Sequence, residues 1–186
     1  AHYRRFVASY VRHPAGVEHQ LVLALKGLQR PTDANRYLAA LPDPAAGLAL
    51  PLPDEGFDIG AYVAVSKQLP HRLVMFINSF SEILAPNWLL YMVNALLTQP
   101  HAGAVGATGS WATGQIGDAF PNTHLRTNGF LIDRETFAAL ATDREWTKDA
   151  CYQFEHGPSG LSKTLLARGA ELYVVDRQGR AVPHAQ

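Results

Sequence analysis

Five consecutive apolar residues, Leu73-Val74-Met75-Phe76-Ile77, break off abruptly into the polar run Asn78-Ser79-Phe80-Ser81-Glu82. A run of that length reads as a strand buried on both faces, and a polar cluster just beyond such a strand lies where α/β sheets hold ligands. Similar runs recur along the chain. Leu21 to Leu25 and Leu48 to Leu52 come before it, Ala104 to Ala107, Phe130 to Ile132 and Leu172 to Val175 after it. Between them lie helical patterns. Tyr3, Phe6, Val7, Tyr10 and Val11 repeat at helical spacing. A helix is predicted from a cap at Thr32 or Asp33 to about Leu41, ending before Pro42 and Pro44, and others over Ala61 to Leu69, Glu135 to Leu140, and Ser162 to Arg168 with Gly169 closing it. Pro86 opens a helix whose Trp88, Leu89, Met92, Val93, Leu96 and Leu97 make one broad apolar face. Strands alternating with helices predict an α/β fold, a mostly parallel sheet with helices on both faces, as one domain over residues 1–186. Thr108 to Thr123 reads as a long loop of the kind that carries function.

Charge and cysteine usage remove several classes. The 16 basic and 16 acidic side chains balance, and no Lys/Arg run is present, which argues against nucleic-acid binding. The single cysteine, Cys151, excludes an internal disulfide and a multi-cysteine zinc framework, and reads as a core residue. No apolar run approaches the roughly 20 residues a membrane span needs. Gly157-Pro158-Ser159-Gly160-Leu161-Ser162-Lys163-Thr164 nearly matches a phosphate loop, but Ser162 stands where the second glycine belongs. Gly103, Gly106 and Gly109 lack dinucleotide-site spacing, and neither G-x-S-x-G nor H-E-x-x-H occurs.

Two sets of polar residues remain. Asp58, Asn78, Glu82, Glu155 and His156 supply the groups that bind a hard cation or act as a general base at the ends of predicted strands. They are equally readable as a helix cap at Asp58, a first-turn carboxylate at Glu82 and a solvated loop charge at Glu155. In His124-Leu125-Arg126-Thr127-Asn128, strand periodicity puts His124, Arg126 and Asn128 on one face.

The order of these pieces resembles the core of family 2 inverting glycosyltransferases of the GT-A fold. The resemblance lies in Glu55-Gly56-Phe57-Asp58-Ile59-Gly60-Ala61-Tyr62, in Val74 to Asn78, in Glu82-Ile83-Leu84-Ala85-Pro86-Asn87-Trp88-Leu89 and in Gly103 to Ala107. The first piece is most similar to the rhamnosyltransferase and bacterial polysaccharide-synthesis branch. Pro121 to Ile132, followed by Phe154-Glu155-His156-Gly157, resembles a bacterial subgroup. The resemblance implies a Rossmann-like GT-A sheet, here lacking its first strand and so truncated at the N-terminus. It implies transfer of a sugar, with inversion, from a nucleotide-diphosphate donor to a hydroxyl on a glycan or lipid-linked glycan. Glu155 would be the catalytic base, with Asp58, Asn78, His124, Arg126 and Asn128 on the donor side. Asn78 to Glu82 would replace the metal-binding D-x-D. Mg²⁺ or Mn²⁺ would then be held with Glu82 or His156, or Arg126 would stand in for the ion. The resemblance also implies a cytoplasmic protein, near the inner membrane surface where polysaccharide precursors are assembled. The competing reading is a catalytically silent GT-A-like module that binds glycan or protein.

Overall fold

The helical stripe at the start of the chain forms α1 (His2–Arg12), with Val7 buried and Tyr3 and Phe6 packed toward Leu23 and Leu41. The structure, a computed structural model, describes residues 2–113, 119–142 and 144–185. The apolar run after α1 is β1 (Leu21–Lys26), which pairs in parallel with β2 (Gly47–Leu52), Leu21 opposite Gly47 and Lys26 opposite Leu52. The helix expected between them shrinks to a 3₁₀ turn, Pro31–Ala34, and one turn of α-helix, α2 (Asn35–Leu38). Thr32 and Asp33 lie inside the 3₁₀ turn, and Arg30, at its cap, makes no side-chain capping bond.

The next helix starts earlier than its apolar pattern suggests. Gly56 (φ +72°) and Phe57 (φ +49°) turn the backbone left-handed, so α3 runs over Phe57–Ser66 with Ile59, Tyr62 and Val63 buried. Then follow β3 (Leu73–Ile77), α4 (Trp88–Thr98), β4 (Ala102–Gly106), the short β5 (Gly109–Ser110) and β6 (His124–Leu125), and β7 (Gly129–Asp133). The chain ends with α5 (Arg134–Leu140), α6 (Lys148–His156), α7 (Leu161–Ala167), β8 (Glu171–Val175) and β9 (Ala181–Pro183). Asp133 caps α5, accepting from the N–H groups of Glu135 and Thr136 at 3.0 Å.

The fold is mixed α/β. Its main sheet has the order β3-β7-β4-β8-β9. That sheet is mixed rather than mostly parallel: β7 is antiparallel to both β3 and β4, β9 is antiparallel to β8, and only β4 and β8 pair in parallel. The reason is that β4–β5 and β6–β7 are the two arms of one antiparallel ladder, Gly109 opposite Leu125 and Gly106 opposite Phe130, so the chain that leaves along β5 returns along β6 into β7 and needs no crossover helix. Strand direction is not encoded in such a run, because β7 is apolar on both faces. Phe130 and Ile132 enter one core with Ile59, Tyr62, Phe137, Phe154 and Leu172; Leu131 enters the other with Leu89, Met92 and Val105. Helices therefore cover both faces. The β1–β2 pair forms a separate sheet, and a cavity of about 580 Å³ with a largely aliphatic and aromatic lining lies between β1 and β3.

The segment resembling a phosphate loop is a corner between two helices. Such a loop must follow a strand, whereas Gly157–Gly160 joins α6 to α7. Its glycines are required by close packing, since a Cβ on Gly160 would stand 2.7 Å from the Phe154 carbonyl oxygen. Among the described residues no helix is long and apolar enough to cross a membrane.

Candidate functional site

The carboxyl ends of β3 and β4 meet at the turn Arg126–Asn128. The Asn78 N–H, just past β3, donates to the Asn128 carbonyl at 3.0 Å, and the Ser81 hydroxyl donates to the same oxygen at 3.2 Å. Past β4, the Arg126 N–H donates to the Thr108 carbonyl at 3.0 Å, while the Thr108 hydroxyl donates to the Asn128 side-chain oxygen at 3.1 Å. β3, β4 and β8 run in one direction, so their carboxyl ends share this side, the side on which doubly wound sheets place ligands.

Glu155 reaches the same turn from α6. The helix forms because Thr147 caps it, accepting from the Ala150 N–H at 3.1 Å, and because Cys151 and Phe154 bury one face. Glu155 is thus the penultimate residue of a helix, and its side chain is only 12% exposed. Thr127 donates to its Oε2 twice, from the backbone N–H at 2.9 Å and from the hydroxyl. The Arg126 guanidinium lies 3.3 Å from Oε1. The Tyr62 hydroxyl, from α3, donates to the Thr127 carbonyl at 3.3 Å. Burial, and then the charges of Asp58 and Glu155, push the Tyr62 pKa upward and keep this donor protonated.

Asp58 stands one turn before Tyr62, in the first turn of α3, its carboxylate accepting from the Ile59 N–H at 3.0 Å. It is not the cap, a position held by Gly56. Cys151 is buried and its thiol is pushed up to about 11, by burial first and by Asp58 second, which suits a packing role and not a nucleophile.

The expected metal ligands are not brought together. Glu82 is ion-paired with Arg5 of α1, and the next N–H, of Ile83, donates to Ser9 at 3.0 Å, so this segment is tied to the first helix. His156 lies at the far end of α6, its ring centroid 5.8 Å from that of His124 and 5.7 Å from that of Tyr152. The Asn78 side-chain oxygen already accepts from the Phe80 N–H at 3.2 Å and the Ser81 hydroxyl at 2.9 Å. Among the described residues no group of three or more His, Cys, Asp or Glu side chains is placed to hold an ion. Asn78, Glu82 and His156 as they stand do not fit Mg²⁺ or Mn²⁺.

Nor do His124, Arg126 and Asn128 share one face. β6 ends at Leu125, so strand alternation does not carry through to Asn128, and the three side chains take different partners. Arg126 goes to Glu155 and Asn128 to Thr108, while His124 enters the interior at 1% exposure. His124 Nδ1 lies 2.7 Å from the Asn122 carbonyl, an acceptor only, and therefore carries the proton. Asn122 in turn donates its side-chain amide to the His156 carbonyl at 2.8 Å, and the Ser162 hydroxyl accepts from the Leu125 N–H at 3.0 Å.

Burial lowers the pKa of His124 and of His184 from the ordinary 6.5. The unfolded chain then binds more protons than the native one over the window below about 6.5. Stability is accordingly full above that pH and falls as these imidazoles are forced to charge. Urea midpoints are expected to drop between pH 7 and pH 5, and the drop to be smaller in His124→Asn. An equal drop in both proteins would remove His124 from the effect.

Four residues that hydrogen-bond within this arrangement were not singled out in the sequence: Tyr62, Asn122, Thr127 and Ser162. Tyr62 follows Asp58 at helical spacing, which puts both on one face of α3, and that was the available signal. No family model, no curated protein and no solved structure matches the chain.

Proposed function

We propose that the chain is a glycosyltransferase that moves a sugar from a nucleotide-diphosphate donor onto a hydroxyl of a glycan or lipid-linked glycan, with inversion, in bacterial surface polysaccharide synthesis. The observation that supports this reading is the convergence on one turn, Arg126–Asn128, of the Asn78 segment, the end of β4, Tyr62, which follows Asp58 by one turn of α3, and the largely buried carboxylate of Glu155. A GT-A-like ancestry for the fold, and a cytoplasmic setting near the inner membrane surface, belong to the same proposal.

In this mechanism Glu155 accepts the proton of the acceptor hydroxyl, whose oxygen attacks the anomeric carbon from the face opposite the diphosphate. The bond from that carbon to the diphosphate oxygen breaks, and the electron pair leaves with the nucleotide. A carboxylate positioned near the reacting hydroxyl provides the base. Arg126, 46% exposed and adjacent to Glu155, meets the charge that develops on the leaving group. Asp58, Asn78, His124 and Asn128 border the donor side; His124 does so from the interior, through its backbone strand and the Asn122 bond.

A second reading, a silent module that binds glycan or protein, draws on Asn78, whose side-chain oxygen is committed to its own loop and not to an ion. Incubation with a panel of nucleotide-diphosphate sugars and oligosaccharide acceptors, with products read by NMR, separates the two. The transferase gives a glycoside whose anomeric configuration is opposite to that of the donor; retention of configuration, or no glycoside with any donor, contradicts the proposal.

A further inference from the structure

A carboxylate at the penultimate residue of a helix has three side-chain torsions and little backbone beyond it to restrain them. Proton acceptance requires that one of its oxygens be held in a fixed direction. We propose that Thr127, braced by Tyr62, is the positioning residue for Glu155, a role that rests on the reading of Glu155 as the proton acceptor.

Thr127 is 4% exposed and sends two donors, its backbone N–H and its hydroxyl, to the single oxygen Oε2. Two donors from one residue fix both the position and the plane of the carboxylate, and they occupy Oε2. Oε1, which faces the half-exposed Arg126 at 3.3 Å and takes neither Thr127 bond, is the oxygen left to accept a proton. Thr127 belongs to a turn, so something rigid must hold it in place. Its carbonyl accepts from Tyr62, whose ring is stacked on Phe76 at 4.5 Å and packs edge-on to Phe130 at 6.2 Å. The aromatic core thereby reaches the carboxylate through one hydroxyl and one turn residue. Tyr62 serves only while it keeps its proton, and its burial beside two carboxylates ensures that it does.

The test uses the full chain, labelled with ¹⁵N, together with turnover. The Thr127 amide, bonded to a carboxylate, is expected to resonate downfield, to move upfield in Glu155→Gln, and to move again in Tyr62→Phe, which removes a single hydroxyl. Thr127→Val, which keeps the N–H and the volume but lacks the hydroxyl, is expected to lower kcat about 10- to 100-fold with KM unchanged, as misplacement of a catalytic group does. Thr127→Ser restores most of that loss. A Thr127 amide unmoved by Glu155→Gln, or equal turnover by the Val and Ser variants, overturns the positioning role alone. An intact amide response in a wild-type protein that turns over no donor overturns the transferase reading, and the role of the clamp with it.

Discussion

Glu155→Gln is expected to lower sugar transfer by about 10²- to 10⁴-fold, the contribution of a positioned general base, while donor affinity stays within about twofold of wild type. Glutamine is isosteric, and its carbonyl oxygen can accept the Thr127 bonds that Oε2 accepts in the native protein. The turn Arg126–Asn128 therefore keeps its place. What disappears is the negative oxygen proposed to take the acceptor proton, together with the ion pair to Arg126, whose guanidinium side is 46% exposed. Transfer rates and donor binding by calorimetry check the two halves separately. Equal transfer by the variant would remove Glu155 from the chemistry, and a collapse in donor affinity would make it a binding residue.

Phe130→Ala is expected to cost about 3–5 kcal/mol, because it empties a fully enclosed site. Phe130 has no exposed surface and lies 5.3 Å from Phe76, 6.1 Å from Phe137 and 6.2 Å from Tyr62, ring centre to ring centre. In a chain of this size the loss corresponds to a fall of roughly 6–20 °C in Tm. Phe80→Ala is the control: that ring is 72% exposed, and its loss should change stability by less than about 0.5 kcal/mol. Urea midpoints of the two variants decide the matter, and similar losses would mean that the aromatic cluster is not the centre of the core. Because Tyr62 packs on the same rings, Phe130→Ala should also loosen the hold on Thr127 and reduce transfer in the surviving folded molecules.

How much of this was legible depends on what each residue's role requires. The cores of β1, β3, β4, β7 and β8 coincide with continuous apolar runs; β7, β4 and β8 lie inside the main sheet and are covered on both faces, whereas β3 is its edge and β1 belongs to the two-stranded sheet. The same property hid the direction of β7, since a run apolar on both sides fits a parallel or an antiparallel neighbour equally well. β9, three residues ending in Pro183, is too short to show alternation. α6 buries only Cys151 and Phe154, and so offers a weak periodic signal; Thr147 was its readable mark. That omission mattered, because it left Glu155 looking like a loop charge.

Of the polar residues singled out, Asn78, Arg126 and Asn128 meet at one turn beyond the strand ends, Glu155 reaches that turn from α6, and Asp58 stands one turn of α3 away, before Tyr62. Glu82 departs because Arg5, far away in sequence, takes its charge. The face expected for His124, Arg126 and Asn128 fails because strand periodicity holds only while the strand continues, and β6 has two residues. Thr127 was passed over for the opposite reason. A threonine in a turn acquires its meaning only from the helix that delivers a carboxylate to it.

The most direct measurement of the central claim is a thermal-shift titration against UDP, dTDP, GDP, CDP and ATP, each with and without Mg²⁺ or Mn²⁺. A nucleotide at about 100 times its Kd stabilises the fold by roughly 2.7 kcal/mol, several degrees for a chain of this size. The account predicts a shift with one nucleoside diphosphate, persisting without added metal if Arg126 meets the diphosphate as proposed. No shift with any nucleoside diphosphate, or a shift with ATP alone, would contradict it.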